Sequence, residues 1–346
     1  MLVPMRFSTP GVSSARLLLS SIRCLLAAAC LALCLTSSPA PAQQPAAAAT
    51  DREPTPKVLL IGIDGFRVDA FQAAHTPHLD ALAEDGIIDL QTSVISEDVR
   101  QSDTISGPGW TTFLSGVWAD RHGVVDNTFK GRDRERGPHV FTLVKQQRPE
   151  LQTASFLDWT PLGDHVVRDA DLNVIATPNK AVNEYVGMDR SLATMAAATL
   201  RERPVDFVFV YYGACDETGH RHGFHPSVKP YTRQIEITDE LIGQLLDAIE
   251  QRSSRDSEDW LVVVSSDHGG EGLGHGGGRD NPQINRVPMI VSGPAAARGT
   301  DVARPTATTD IVAVALTHLG IDINPDWHLA GSAAGWLRTT KETSGR

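Results

Sequence analysis

Three apolar runs, each closing on an acid, constrain this chain more than any other feature. KVLLIGIDG (57–65) is apolar almost throughout and ends at Asp64-Gly65. PVDFVFVYYGACDETGH (204–220) has a mainly apolar run over 205–212 and then reaches Asp216 and His220. DWLVVVSSDHGG (259–270) is apolar over 261–264 and arrives at Asp267-His268. Short apolar runs of this kind are the pattern of strands buried on both faces, as in parallel sheets covered by helices. Helical stretches separate them. Thr76-Pro77 opens one that closes at Gly86, and Leu241, Ile242, Leu245, Leu246 and Ile249 share one face of another over 230–249. A last helix is expected over roughly 309–319, ahead of Gly320. Strands alternating with helices give an α/β fold around a mostly parallel sheet, with helices on both faces. Ligands in such folds collect at the carboxyl ends of the strands. The three acid-terminated strands should therefore aim their polar groups at one rim.

The groups expected there are Asp64, Asp216, His220, Asp267 and His268, with His275 a few residues on. Each acid alone reads more readily as a turn former or helix cap. Three strand ends agreeing is a different matter, and carboxylates mixed with imidazoles suit zinc, or less specifically manganese or iron. The set can fill two sites of three protein ligands each. Asp216 and His220 stand four apart, so both can face one ion. Adjacent Asp267 and His268 would normally diverge, and Gly269-Gly270 is expected to supply the turn that brings them together. His222 and His225, in HRHGFH, are expected to be solvated or to support ligands rather than to bind metal.

Composition limits where such chemistry operates. The chain has 346 residues, 41% of them apolar and 21% charged, which is ordinary for a globular protein. Residues 1–23 carry Arg6, Arg16 and Arg23 without an acid, CLLAAACLALCL (24–35) is too short to span a bilayer, and Ala40-Pro41-Ala42 offers a cleavage site. Residues 1–42 therefore read as a bacterial-type signal peptide, followed by an Ala/Pro-rich linker at 43–56, a catalytic domain at 57–338 and a flexible tail at 339–346. The expected location is the periplasm or the medium, with no stable membrane anchor after cleavage. Cleavage would leave Cys215 as the sole cysteine, so no internal disulfide could form. It would also remove three arginines and take the net charge from −11 to −14. A chain that acidic is not expected to present a nucleic-acid surface, and any phosphate it handles needs a local cationic site. Oligomeric state is left open.

SDTISGPGWTTFLSGVWADRHGVVDN (102–127) holds the hydroxyls that such a site could use. Pro108 at a first helical position would leave Ser106 just outside a helix N-terminus, where N–H groups favour anionic oxygen. Thr104, Thr111 and Thr112 are the neighbouring rivals.

At these residues the chain resembles the alkaline phosphatase superfamily, most closely its type I phosphodiesterase/nucleotide pyrophosphatase branch. The likeness runs over roughly 57–295, through IGIDGFR, TPHLDALAEDG, SGPGWTTFLSGVWADRHGVVDN, DETGH, SDHGG and GHGG. It implies a three-layer sandwich with little cap insertion and a site with two divalent ions, zinc foremost. One ion would be held by Asp64, Asp267, His268 and the Ser106 oxygen, the other by Asp216, His220 and His275. The resemblance makes Ser106 the nucleophile of a double in-line displacement on a small-molecule phosphate ester, through a phosphoseryl intermediate. Asn127 and the N–H of Gly107 would hold a non-bridging oxygen. Nucleotide pyrophosphatases usually place an aromatic residue where this chain has Gly107, which leaves Tyr211 as a stacking candidate and Trp110 and Trp159 as possible pocket walls. His275 follows His268 by 7 residues, where many relatives insert more chain. The expected activity is cleavage of phosphodiester or nucleotide pyrophosphate bonds. The alternatives are a phosphomonoesterase, a sulfatase (for which Trp110 stands where arginine is usual) and a metal-stabilised binding protein.

Overall fold

The computed structural model describes residues 53–177, 182–299 and 302–338. The expected signal peptide, residues 43–52 of the linker and the C-terminal tail lie outside the described residues. Among the described residues no helix is long and apolar enough to cross a membrane.

Seven strands form one sheet: β1 (Thr55–Ile63), β2 (Gly86–Ser93), β3 (Thr153–Leu157), β4 (Leu172–Ile175), β5 (Phe207–Tyr212), β6 (Glu258–Ser265) and β7 (Arg286–Ser292), in the order β2-β7-β6-β1-β5-β3-β4. The five strands from β6 to β4 run parallel, whereas β7 is antiparallel to both β6 and β2. The reversal has a local cause. Between β6 and β7 the chain makes only single-turn helices, Gly278–Asp280 and Pro282–Asn285. A parallel return would need a crossover of a dozen or more residues, usually helical. The connection instead stays on the rim, and it carries His275.

Alternate residues of each central strand enter opposite cores, as a period of two requires. Val58, Leu60, Phe207, Phe209, Leu261 and Val263 pack with Trp110, Phe113 and Phe141 on one face. Leu59, Ile61, Val208, Val210, Val262 and Val264 pack on the other with Leu82, Leu192, Ile242 and Leu245. Fully burying one such side chain is worth roughly 1.5–3 kcal/mol, so both faces of the sheet are anchored by helices, as expected for a three-layer α/β fold. The helices Pro77–Asp85, Lys229–Glu250 and Asp310–His318 fall where their sequence signals lie.

Register then sets the rim. Ile63 pairs with Tyr212, and Gly62 with Ser265. The three central strands thus end in step, and the residues just beyond them share one edge of the sheet.

Candidate active site

Asp64 is the first residue after β1, and the turn at Gly65 (φ +67°) takes the chain off the sheet. A Cβ on Gly65 would meet the Asp216 backbone at 2.9 Å, so a side chain there would push β1 and β5 ends apart. After β5, the helix Ala214–His222 presents Asp216 and His220 one turn apart, with His220 Nε2 3.2 Å from Asp216 Oδ2. After β6, Asp267 and His268 converge, His268 Nε2 lying 3.2 Å from Asp267 Oδ2 and 3.5 Å from Asp64 Oδ1.

That convergence does not come from glycine's left-handed conformations, because neither Gly269 nor Gly270 has a positive φ. Their small size matters instead. A Cβ on Gly269 would lie 2.2 Å from the Gln283 carbonyl oxygen, and one on Gly270 would enter the Phe224 ring at 2.3 Å. The pair lets the segment pack closely against its neighbours, which aims His268 inward.

Two groups of donors result, each with its atoms within 4.8 Å of one another: Asp64, Asp267 and His268, and Asp216, His220 and His275. All three imidazoles are held in the same way. His268 Nδ1 faces the Gly269 carbonyl at 2.9 Å, His275 Nδ1 the Thr104 carbonyl at 2.7 Å, and His220 Nδ1 the Leu273 carbonyl at 2.9 Å. Donation from Nδ1 to a carbonyl leaves the Nε2 lone pair for a metal. The Nε2 atoms of His220 and His275 stand 3.1 Å apart, and His220 Nε2 also lies 3.2 Å from Asp216 Oδ2, a hydrogen bond that raises the His220 imidazole to about 9 against the opposing effect of burial.

The carboxylates complete this picture. Asp64 Oδ1, Asp216 Oδ1 and both oxygens of Asp267 are buried without a hydrogen-bond partner. Burial pushes the Asp216 carboxyl up to about 7, with the Asp64 charge adding to it. Burial, followed by the charges of Asp64 and Asp216, drives the Asp267 carboxyl well above its ordinary range. Burial holds His268 and His275 down at about 3, so both imidazoles are neutral. Crowded acids with oxygens that lack donors, beside the neutral imidazoles of His268 and His275, are a poor arrangement for a metal-free protein. The mixed oxygen and nitrogen donors fit divalent cations and are of the types that zinc takes.

Ser106 is buried beside the first group, its Oγ 3.3 Å from His268 Nε2. The helix Ser106–Ser115 starts at this residue, with Ile105 at its N-cap. Pro108 is therefore the third residue of the first turn, rather than its first as expected. The Gly107 N–H is engaged, donating to Asn127 Oδ1 at 2.6 Å. This bond fixes the Asn127 amide with its NH₂ as the donor left for a ligand. Gly107 also has no room for a side chain, since a Cβ would lie 2.6 Å from the Asp126 carbonyl oxygen.

Tyr211 plays a different part from stacking. It is buried, and its hydroxyl donates to Asp64 Oδ2 at 2.6 Å, while Trp110 Nε1 donates to the same oxygen at 3.0 Å. The two donors satisfy one oxygen of Asp64 and turn the other towards His268. Trp159, half-buried, lines the cavity of about 160 Å³ above the site, together with Tyr185 and Glu217, which sequence reading did not single out. The chain gives no signal for Tyr185 because its helix, Val182–Glu202, is remote in sequence from every motif. His222 and His225 belong to neither donor group, and His225 is exposed, pairing with Ser227. Among the rival hydroxyls, Thr111 donates back to the Gly107 carbonyl and Thr112 pairs with His122, both as helix-packing groups.

Residues 58–276 match the type I phosphodiesterase / nucleotide pyrophosphatase family. Rat ectonucleotide pyrophosphatase/phosphodiesterase family member 7 is 26% identical over 267 residues, a match that covers 72% of this chain and 56% of the relative. The chain thus spans about half the length of the curated relatives it matches. Among solved structures, a 2-O GAG sulfatase aligns with TM-score 0.65 at 15% identity, covering 83% of this chain and 76% of the other. Murine ectonucleotide pyrophosphatase/phosphodiesterase 5, an inactive form in complex with AMP, aligns with TM-score 0.58 at 15% identity, covering 78% and 96%. At that identity the structural likeness carries the fold alone, which is the α/β sandwich of the alkaline phosphatase superfamily. With its matched segment holding both donor groups and Ser106, the chain belongs to the type I phosphodiesterase / nucleotide pyrophosphatase family.

Proposed function

We propose that the chain is an exported hydrolase that cleaves phosphodiester or nucleotide pyrophosphate bonds, with Ser106 as nucleophile. The observation that carries this reading is the placement of the Ser106 hydroxyl beside the group Asp64, Asp267 and His268, with Asp216, His220 and His275 forming an adjoining group whose His275 ring stacks on His268 at 3.6 Å. When bound at these two groups, divalent ions would lower the proton affinity of an oxygen they touch and offset charge on the phosphoryl group.

The chain's own residues do the rest. Ser106 Oγ gives its proton to solvent and forms a bond to phosphorus as the bond to the ester oxygen breaks, and that oxygen leaves with its electron pair and takes a proton from solvent. Water then attacks the same phosphorus, losing a proton to solvent, the P–Oγ bond breaks with its electron pair on Oγ, and Ser106 takes up a proton and is regenerated. The Asn127 NH₂ donates to a non-bridging oxygen whose charge grows in each transition state. Trp110 and Tyr211 keep Asp64 oriented during both steps. Glycine at 107 removes the aromatic platform usual beside the nucleophile, so the wall for the leaving group falls to Trp159 and Tyr185. The murine family member solved with AMP supports a nucleotide among the candidate substrates. Export rests on residues 1–42, and N-terminal sequencing of secreted protein tests it.

The reading is tested by comparing rates on aryl phosphate monoester, phosphodiester, nucleotide pyrophosphate and sulfate ester, before and after chelation and zinc return. Diester or pyrophosphate turnover that vanishes on chelation and recovers with zinc is expected. A sulfate preference, or rates indifferent to chelation, would overturn it.

A further inference from the structure

Asp158 and Asp189 are both fully buried, and the chemistry proposed above uses neither. Asp158 is the first residue after β3, next to Trp159. Asp189 lies one turn beyond Tyr185 in the helix Val182–Glu202. Its carboxylate meets the N-terminus of another helix, Ala214–His222, where Oδ1 accepts from the Gly213 N–H and Oδ2 from the Ala214 N–H, at 3.2 Å each. That helix presents Asp216 and His220 within its first two turns. Asp158 packs against the same point, since a Cβ on Gly213 would stand 3.0 Å from Asp158 Oδ1.

Two carboxyls in contact inside the protein cannot both stay charged. No protein group donates to either oxygen of Asp158, so its one partner is Asp189. Burial, and then the Asp189 charge, drives the Asp158 carboxyl well above its ordinary range. Burial also pushes Asp189 up, to about 7, but the hydrogen bond from Asp158 and the two N–H groups oppose it. The proton therefore rests on Asp158, which donates, and Asp189 is the anion that accepts from Asp158, Gly213 and Ala214. A carboxylate is well placed there, because the N–H groups and dipole of a helix N-terminus favour negative charge.

We propose that Asp158 and Asp189 share one proton and act as a positioning pair, which fixes the helix that presents Asp216 and His220. The anionic member holds the two N–H groups at the start of that helix, and the neutral member satisfies the anion without a cation in the core. Neither residue belongs to a donor group or lines the catalytic cavity. The pair also joins the segments of Trp159 and Tyr185, the two cavity walls, to the helix of the second donor group. Its consequence for metal rests on the reading of Asp216, His220 and His275 as ligands, whereas its hold on the helix does not.

Amides of the same shape at the two positions separate these roles. An amide can replace a protonated acid as donor, but it cannot replace a carboxylate that faces two N–H groups. In metal-free protein, amide hydrogen exchange at Gly213 and Ala214 should be about tenfold faster or more in Asp189→Asn and close to wild type in Asp158→Asn. Zinc competition with a chromophoric chelator should show two ions in wild type. Asp189→Asn should bind one of them about tenfold more weakly and leave the other unmoved, while Asp158→Asn stays close to wild type for both. Unchanged exchange in Asp189→Asn, or equal effects of the two amides, would overturn the pair. Faster exchange with both zinc affinities unmoved would overturn its link to Asp216 and His220. Wild type that binds no zinc would overturn the metal reading, and the exchange rates would still decide the pair. If Asp189→Asn does not fold, Asp158→Asn decides alone. A folded value raised above the ordinary 3.8 costs stability at pH 7, and the amide removes that cost, so this variant should melt no lower than wild type; a lower melting temperature would overturn the shared proton.

Discussion

Removing divalent cations should both lower the melting temperature and invert the effect of one substitution. Four buried carboxylate oxygens in the candidate site have no hydrogen-bond donor: Asp64 Oδ1, Asp216 Oδ1 and both oxygens of Asp267. A buried polar group left unsatisfied costs about 1–3 kcal/mol, so the four together put roughly 4–12 kcal/mol at stake between metal-free and loaded protein. Metal at about a thousand times its dissociation constant contributes about 4 kcal/mol by mass action, which agrees with the lower end. At roughly 2–4 °C per kcal/mol for a domain somewhat smaller than this one, chelation should lower the melting temperature by about 8 °C or more. Differential scanning calorimetry with and without chelator reads this directly. Asp267→Asn sharpens the test. In loaded protein it removes a ligand and should destabilise. In chelated protein it removes a carboxyl whose charge is opposed first by burial and then by Asp64 and Asp216, and should stabilise, so the two effects have opposite signs. A substitution effect of the same sign in both conditions, or a chelation shift under about 2 °C, would refute the reasoning.

Other predictions concern single side chains. Ser106→Ala should reduce turnover on a phosphodiester by at least about a thousandfold, while calorimetry and bound-metal analysis stay near wild type; a loss below tenfold would remove Ser106 as nucleophile. Tyr211→Phe deletes the 2.6 Å donor to Asp64 Oδ2 but leaves Trp110 in place, and metal affinity should fall about 10-fold or more, read by competition with a chromophoric chelator. Unchanged affinity there would return Tyr211 to simple packing. Far from the site, burial pushes the Glu258 carboxyl up, but hydrogen bonds from Arg252, Trp260 and Ser254 outweigh it and hold the group at about 2. Because the folded value lies below the ordinary 4.5, this contribution is complete above about pH 4.5 and fades as pH falls towards 2. Glu258→Gln should therefore lose about 3–5 kcal/mol in urea denaturation at pH 7, with a gap to wild type that narrows below pH 4.5; a gap that stays constant down to pH 3 would contradict it.

Much of the site could be read from local pattern because strand ends are local. The apolar runs before Asp64, Asp216 and Asp267 fix three strands, and a parallel sheet brings their carboxyl ends to one rim whatever the detailed packing. Asp216 and His220 could be paired from spacing alone, since four residues is one helical turn. Other features had no such signature. Tyr211 sits in an apolar strand and reads equally as packing or as a stacking face; its bond to Asp64 exists only because β5 lies beside β1 in a register that sets Gly62 opposite Tyr211. Gly269 and Gly270 looked like a turn, but their role is set by Gln283 and Phe224, which the chain brings there from other segments.

Residue order was enough for the buried strands, the amphipathic helices and the donor types, because periodicity and side-chain chemistry are local. Packing settled which oxygen of each carboxylate is satisfied, which nitrogen of each histidine faces inward, and that Gly107 holds Asn127 in place. Those depend on contacts across tens to hundreds of residues, where a shift of an ångström separates a hydrogen bond from none.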